Sequence, residues 1–179
     1  YSALPAVCGR VCPQEKQCES KCLHLKTGRQ AVAIGYLERF AADWEREHDM
    51  AAVPKTQPHN GRKVAVVGSG PAGLSFAGDM AKLGYSVTVF EALHEIGGVL
   101  KYGIPEYRLP NRIVDAEIEN LEKLGVTFVK DCIIGKTITT DQLKADGYEG
   151  IFVASGAGLP NFMGIPGENL INVLSSNEY

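Results

Sequence analysis

Lys63–Gly73, KVAVVGSGPAG, is the stretch whose reading decides the fold of this chain. Val64, Val66 and Val67 lie among small residues in the pattern of a buried strand. The strand runs directly into Gly68-x-Gly70-x-x-Gly73. Gly68 permits a tight turn, Gly70 lets backbone approach a pyrophosphate, and Gly73 lets helix and strand pack closely. Pro71 suits the first turn of the following helix, where its missing N–H costs nothing. That helix carries Leu74, Ala77 and Ala81 on one face and stops at Gly84. Its N-terminus would present unpaired N–H groups and a positive dipole end to phosphates. Gly68, Ser69, Gly70, Pro71, Ala72 and Gly73 are therefore the candidate phosphate cradle.

A lone G-x-G-x-x-G is a weak signal, and a glycine-rich turn without a ligand is the plain alternative. Here a strand precedes the motif, a helix follows it, and a second strand, Ser86–Phe90, ends at Glu91. An acid about 20 residues beyond the glycines is where the dinucleotide fingerprint needs a ribose partner. The Glu91 carboxylate can accept from ribose hydroxyls and would repel a 2′-phosphate, which favours FAD or NAD over NADP at this site.

Working outward, 179 residues with 45% hydrophobic side chains can bury one full domain or somewhat more. A net charge of −3 gives no electrostatic footprint for nucleic acid or an anionic membrane. No apolar run approaches the ~18 residues of a membrane span, and no signal peptide opens the chain. The sequence thus predicts a cytoplasmic protein with neither nucleic-acid nor membrane partner. Its abrupt ends read as those of a piece of a longer protein.

Four of the five cysteines, Cys8, Cys12, Cys18 and Cys22, fall in a C-x3-C-x5-C-x3-C run. Residues 1–28 look irregular and too poor in apolar side chains to fold unaided, so thiolates gathered on a metal would organise them. The spacing leaves an iron–sulfur cluster, structural zinc and disulfides open. Gln30–His48 reads as a helix with Ile34, Leu37, Ala41 and Trp44 on a core-facing side. Glu38 lies beside that face, and on its own reads as a solvated carboxylate. Met50–Arg62, with two prolines and an Asn-Gly pair, is a linker.

Beyond Glu91, GGVLKYGIPEYRLP (Gly97–Pro110) suits no regular element and reads as a ligand-binding loop at the carboxyl ends of the strands, with a plain surface loop as the alternative. Asn111 can cap a helix carrying Val114, Ile118 and Leu121 that ends at Gly125. Val126–Val129 and Gly150–Ala154 are strands, Asp141–Ala145 is a short helix, and Cys132 is a packed thiol. Small residues at Ser155-Gly156-Ala157-Gly158 leave room for a ligand at a second strand end. His24, His48, His59 and His94 have no spacing that suggests a metal site or catalytic triad.

CGRVCPQEKQCESKC (Cys8–Cys22), KVAVVGSGPAGL (Lys63–Leu74) and the Gly97–Pro110 loop together resemble the small (beta) chain of NAD(P)H-dependent glutamate synthase. The same blocks are similar to the N-terminal part of dihydropyrimidine dehydrogenase and to NADH-dependent ferredoxin:NADP oxidoreductase. The resemblance implies a small α-helical Cys-rich domain with 4Fe–4S clusters over 1–49, a linker over 50–62, and an incomplete α/β Rossmann-like FAD-binding domain over 63–179. It further implies that Cys12 and Cys18 serve one cluster and Cys22 another. Glu38 would complete the first cluster, and Cys8 is a possible further ligand. FAD would meet Gly68, Gly70 and Gly73 at its pyrophosphate, Glu91 at its ribose, and Gly98, Val99, Leu100 and Arg108 on the flavin side. Ile134 would lie at the adenine and Gly156 again at the pyrophosphate.

An earlier four-cysteine run, a second G-x-G-x-x-G for NAD(P)H and a returning FAD segment complete that family's pattern and are not in this sequence. The chain alone is accordingly expected not to oxidise NAD(P)H, whereas the intact protein would deliver electrons to a large glutamate synthase-type subunit or another electron-acceptor subunit. Two other classes fit parts of the pattern: an NAD-dependent dehydrogenase with a zinc-bound N-terminus, and a non-enzymatic Cys-rich docking module on a nucleotide-binding fold.

Overall fold

The structure, a computed structural model, describes residues 3–48, 50 and 54–176. Residues 1, 2, 49 and 177–179, at the expected domain limits, and 51–53, in the expected linker, lie outside it. β1 (Lys63–Val67), β2 (Ser86–Phe90), β3 (Thr127–Val129) and β4 (Tyr148–Val153) form one parallel sheet in the order β3-β2-β1-β4. β1 lies between β2 and β4, with Val64 opposite Val87 and Gly150, and Val66 opposite Val89 and Phe152. A central parallel strand is covered on both faces, which is why β1 reads as a nearly unbroken apolar run.

On one face α4 (Pro71–Lys82) and α6 (Asn111–Lys123) close the main core, with Leu74, Ile113 and Val114 packed around Val66 and Val89. The other face carries a smaller cluster of Ala65, Phe90, Cys132 and Leu143, the last from α7 (Thr140–Ala145). Cys132 is buried there, and burial pushes its thiol pKa up. Thr139 and Gln142 close a reciprocal capping box at the start of α7.

The N-terminal segment is more ordered than its composition suggests. α1 (Pro5–Val11) and the one-turn α2 (Leu23–Lys26) flank two short 3-10 turns, where an irregular run is expected from the sequence. The reason lies in the core: Leu4, Ala6 and Val7 are buried in the same cluster as Ile113 of α6, so α1 folds on the sheet domain. A 2.9 Å hydrogen bond from the Ala6 N–H to Glu117 Oε1 of α6 fixes that contact.

The following helix, α3, spans Ile34–Glu47 and starts later than Gln30. Just before it the Val32 N–H turns back to Cys22 Sγ, and the Glu19 carboxylate then takes the Gly35 N–H. Ile34, Leu37, Ala41 and Trp44 all lie exposed, Trp44 at 43% and stacked on His48, so the expected core face is displaced. The buried residues of α3 are instead the small Gly35, which lies against the Gln14 side chain, and Ala42. A Cβ on Gly9 would stand 2.6 Å from the Arg39 backbone N. Such close helix approach admits only small side chains and turns the larger apolar ones outward.

Three local expectations change as well. The linker is not free along its length: Gln57 and Asn60 N–H groups bond to Lys82 and Gly84 carbonyls at the end of α4. The Gly97–Pro110 loop contains a helical turn, α5 (Val99–Tyr102), because the Lys101 to Gly103 amides reach back to the carbonyls of Gly98 and Val99. Asn111 is the first residue of α6 rather than its cap. Its N–H is taken by the Glu106 carboxylate at 2.9 Å, so an upstream acid performs the capping.

Candidate dinucleotide-binding site and cysteine segment

The glycine turn is built as its spacing requires. Gly68 has φ 98°, outside the range of ordinary side chains, and an added Cβ would collide with the Ala154 carbonyl at the end of β4. A Cβ on Gly73 would meet the Gly68 carbonyl and, at 3.3 Å, Val66 Cγ1, so this glycine lets α4 lie against β1. Gly70 is different: nothing lies within 4 Å of where its Cβ would be. Gly70 is the N-cap of α4 and Pro71 its N1 residue, so the open space adjoins the helix end where the amides of Ala72 and Gly73 have no intrahelical acceptor. Gly156, φ 73°, faces equally open space past β4.

Glu91 stands at the end of β2, 6% exposed. Its Oε2 accepts from the Ser69 N–H at 2.8 Å and the Ser69 hydroxyl at 2.5 Å, and Oε1 accepts from the Leu93 N–H at 2.9 Å. Ser69, fully buried, also accepts the Gly97 N–H at 3.0 Å. Gly98, φ 53°, packs so closely on the turn that a Cβ there would be 2.9 Å from Gly70 Cα. The structure thus draws Gly68–Gly73, Glu91, Gly97 and Gly98 into one locus. The Ser69 link to Glu91 and Gly97 has no sequence signature, since a serine between two glycines reads only as a small residue.

Other expected cofactor contacts fall less uniformly. Val99 and Arg108 are exposed, but the Leu100 side chain is buried in the main core and can offer a ligand only backbone. Ile134 pairs with Ile138 in an isolated bridge, half-buried beside Cys132. Lys101, close beneath Gly97, is held by Asp115 at 2.6 Å and Glu95 at 3.0 Å, whose hydrogen bonds and charges outweigh desolvation and raise its pKa.

Among the described residues Cys12, Cys18, Cys22 and Cys132 carry free thiols. Cys12 Sγ lies 3.7 Å from Gln17 Oε1, Cys18 Sγ 4.0 Å from the Gln14 carbonyl, and Cys22 Sγ accepts the Val32 N–H at 3.5 Å. Glu38 is half-buried, immediately before the Arg39 backbone that Gly9 abuts. The N–H donated to the Cys22 sulfur suits an iron–sulfur ligand, whereas the Cys12 and Cys18 thiols donate to oxygens. Among the described residues, however, no group of three or more His, Cys, Asp or Glu side chains is gathered to hold a metal ion. Cys12, Cys18, Cys22 and Glu38 are thus not drawn together within this chain. Also among the described residues, no helix is long and apolar enough to cross a membrane.

Residues 62–178 match the pyridine nucleotide-disulphide oxidoreductase family. The chain belongs to that family. Residues 1–50 of this oxidoreductase match dihydropyrimidine dehydrogenase domain II, 4Fe-4S cluster. It is 44% identical over 165 residues to the NAD-dependent dihydropyrimidine dehydrogenase subunit PreT of Escherichia coli O157:H7, covering 90% of this chain and 39% of that protein. It is 31% identical over 173 residues to a putative glutamate synthase [NADPH] small chain of Cereibacter sphaeroides, covering 97% of this chain and 42% of that one. The chain therefore spans about two fifths of the length of these relatives. Among solved structures, Mycobacterium tuberculosis FprA in complex with NADPH shares the fold at TM-score 0.55 and 24% identity, over 64% of this chain and 26% of that one.

These findings bear out the fold class, an Fe–S domain followed by an incomplete parallel α/β domain, and the family resemblance. The 4Fe-4S and pyridine nucleotide-disulphide oxidoreductase matches support 4Fe–4S clusters, FAD and NAD(P)H as the cofactors.

Proposed function

We propose that this chain is the iron–sulfur and flavin-binding part of an electron-input subunit that passes electrons from NAD(P)H, by way of FAD and 4Fe–4S clusters, to an acceptor on a partner subunit. The observation that carries the flavin side is the open space at Gly70, between the α4 N-terminus and the strand ends at Gly68 and Gly156. FAD, when bound, supplies chemistry that takes electrons in pairs and releases them singly. The chain's own part is to bind and orient. Gly70, Ala72 and Gly73 offer backbone to the pyrophosphate, Glu91 an acceptor to the ribose, and Gly98, Val99 and Arg108 a border on the flavin side. Leu100 and Ile134 contribute through backbone, and Gly156 closes the pyrophosphate side.

In this reading residues 1–49 are the iron–sulfur domain, 50–62 the connection and 63–179 the flavin domain. Cys12, Cys18, Cys22 and Glu38 supply cluster ligands, with Cys8 a further candidate. The partner is a large glutamate synthase-type subunit in the narrower reading. The higher identity to the dihydropyrimidine dehydrogenase subunit, 44% against 31%, favours a pyrimidine-type acceptor as the second reading.

The test is the visible spectrum of the full-length protein purified without oxygen. A flavin band over broad brown absorption, both bleached by NAD(P)H, is expected. A colourless zinc protein would replace this reading with the zinc-bound dehydrogenase, and a colourless metal-free one with the docking module. Glutamate- and pyrimidine-linked assays with candidate partner subunits then separate the two acceptors.

A further inference from the structure

An ionised carboxylate offers about four acceptor positions, two on each oxygen. On Glu91 three are filled: Oε2 by the Ser69 N–H and hydroxyl, and Oε1 by the Leu93 N–H. The Ser69 hydroxyl cannot readily turn away. Its oxygen already accepts the buried Gly97 N–H while its hydroxyl donates to Oε2. Releasing it would strand polar groups in a residue that solvent does not reach.

We propose that Ser69 is a positioning and specificity-determining residue for the adenosine ribose of FAD. By saturating Oε2, it leaves Glu91 a single acceptor position, on Oε1, so that one of the two ribose hydroxyls is read by this carboxylate and the other is not. The same hydroxyl ties the glycine turn to Gly97, so the grip on the ribose and the placement of the flavin-side loop share one atom. The proposal rests on the flavin reading above.

The test uses full-length protein stripped of flavin and retitrated with FAD and with its two analogues lacking the 2′- or the 3′-hydroxyl of the adenosine ribose, followed by quenching of flavin fluorescence. In the wild type, losing one hydroxyl should weaken binding about ten-fold and losing the other less than about three-fold, the difference between making and not making one charge-assisted bond. Ser69→Ala frees a second position on Oε2, so both deletions should then weaken binding to a similar degree. A Ser69 role confined to holding the fold would weaken FAD and both analogues together and leave their ratios unchanged. Equal losses on the two analogues in the wild type overturn the proposal, as does wild-type asymmetry persisting in Ser69→Ala. Should Ser69→Ala fail to fold, the wild-type comparison decides alone. A protein that binds neither FAD nor either analogue overturns the flavin reading itself.

Discussion

Replacing Glu117 tests whether α1 is held on the sheet domain by the bond between them. Glu117 is 8% exposed and accepts the N–H of Ala6, which is itself buried. Glu117→Ala removes the acceptor and leaves a buried amide without a partner, a loss of about 1–3 kcal/mol. A cavity of about 300 Å³ borders Ala6 and Glu117, so water can reach the stranded N–H and the lower end, about 1 kcal/mol, is expected. Glu117→Gln keeps a carbonyl for Ala6 and removes the charge. The sign of its pH effect follows from burial, which pushes the Glu117 carboxyl above its ordinary value, against the Ala6 N–H and the Arg46 and Arg10 charges and with help from Glu45. The native state therefore holds a proton that the unfolded chain has lost, between the ordinary and the raised values. That contribution is fully present below the unfolded pKa and disappears as pH rises through the folded one. Wild type should thus lose stability relative to Glu117→Gln as pH rises across this window. Trp44, the only tryptophan, sits on α3 beside α1, so its fluorescence follows the N-terminal region while far-UV circular dichroism follows the whole chain. Midpoints rather than intensities are compared, because the stacked His48 ring contributes to the indole signal. In urea, Glu117→Ala should bring the Trp44 midpoint below the dichroism midpoint. Coincident, unshifted midpoints in Glu117→Ala, or identical pH dependence of wild type and Glu117→Gln, would refute the reasoning.

Two glycine substitutions separate folding from binding. Gly73→Ala forces α4 off β1 and should lower stability by about 1–3 kcal/mol in urea. Gly70→Ala meets no protein atom at an extended backbone position, so stability should hold within about 1 kcal/mol while FAD affinity of the full-length protein falls ten-fold or more. Unchanged FAD affinity in Gly70→Ala would remove Gly70 from the pyrophosphate site. In full-length protein, Glu38→Ala should change the electron paramagnetic signal of one cluster and leave the other alone; an unchanged spectrum returns Glu38 to the ordinary surface.

The sheet domain was legible in the sequence because its signals are local. A period of two in Val64 and Val66 and glycines at fixed offsets each act within a few residues. The α3 surface was not. Its stripe of Ile34, Leu37 and Trp44 has the correct helical period, but period alone does not say which neighbour a helix meets. The answer came from Gly9, against Arg39, and Gly35, against Gln14, whose small size matters only once these segments are packed together. Glu117 gave a fainter sign, as an acid inside the buried stripe of Ile113, Ile118 and Leu121, yet its partner lies 111 residues away. Convergence of cysteines could be inferred from their spacing only as a possibility, since spacing within one run does not supply the remaining donors.

A continuous series of contacts links the glycine turn to the cysteine segment. Gly98 lies on Gly70, and Ser69 holds the Gly97 amide. A Cβ on Gly97 would lie 3.2 Å from Val114 Cγ1, so the loop is seated directly on α6. One turn further along that helix, Glu117 takes the Ala6 N–H, and α1 leads on to Cys12. Each contact is a close backbone approach or a buried hydrogen bond, neither of which deforms gradually. A flavin at the glycine turn and a cluster at the cysteines would then keep a fixed separation, which electron transfer requires because its rate falls steeply with distance. The Glu117 bond is a polar tie where α1 meets α6 in that chain. Glu117→Ala in the full-length protein should therefore slow reoxidation of the flavin by the clusters more than reduction by NAD(P)H. Stopped-flow traces in which both phases slow alike, or neither does, would show that the two halves are held together by other means.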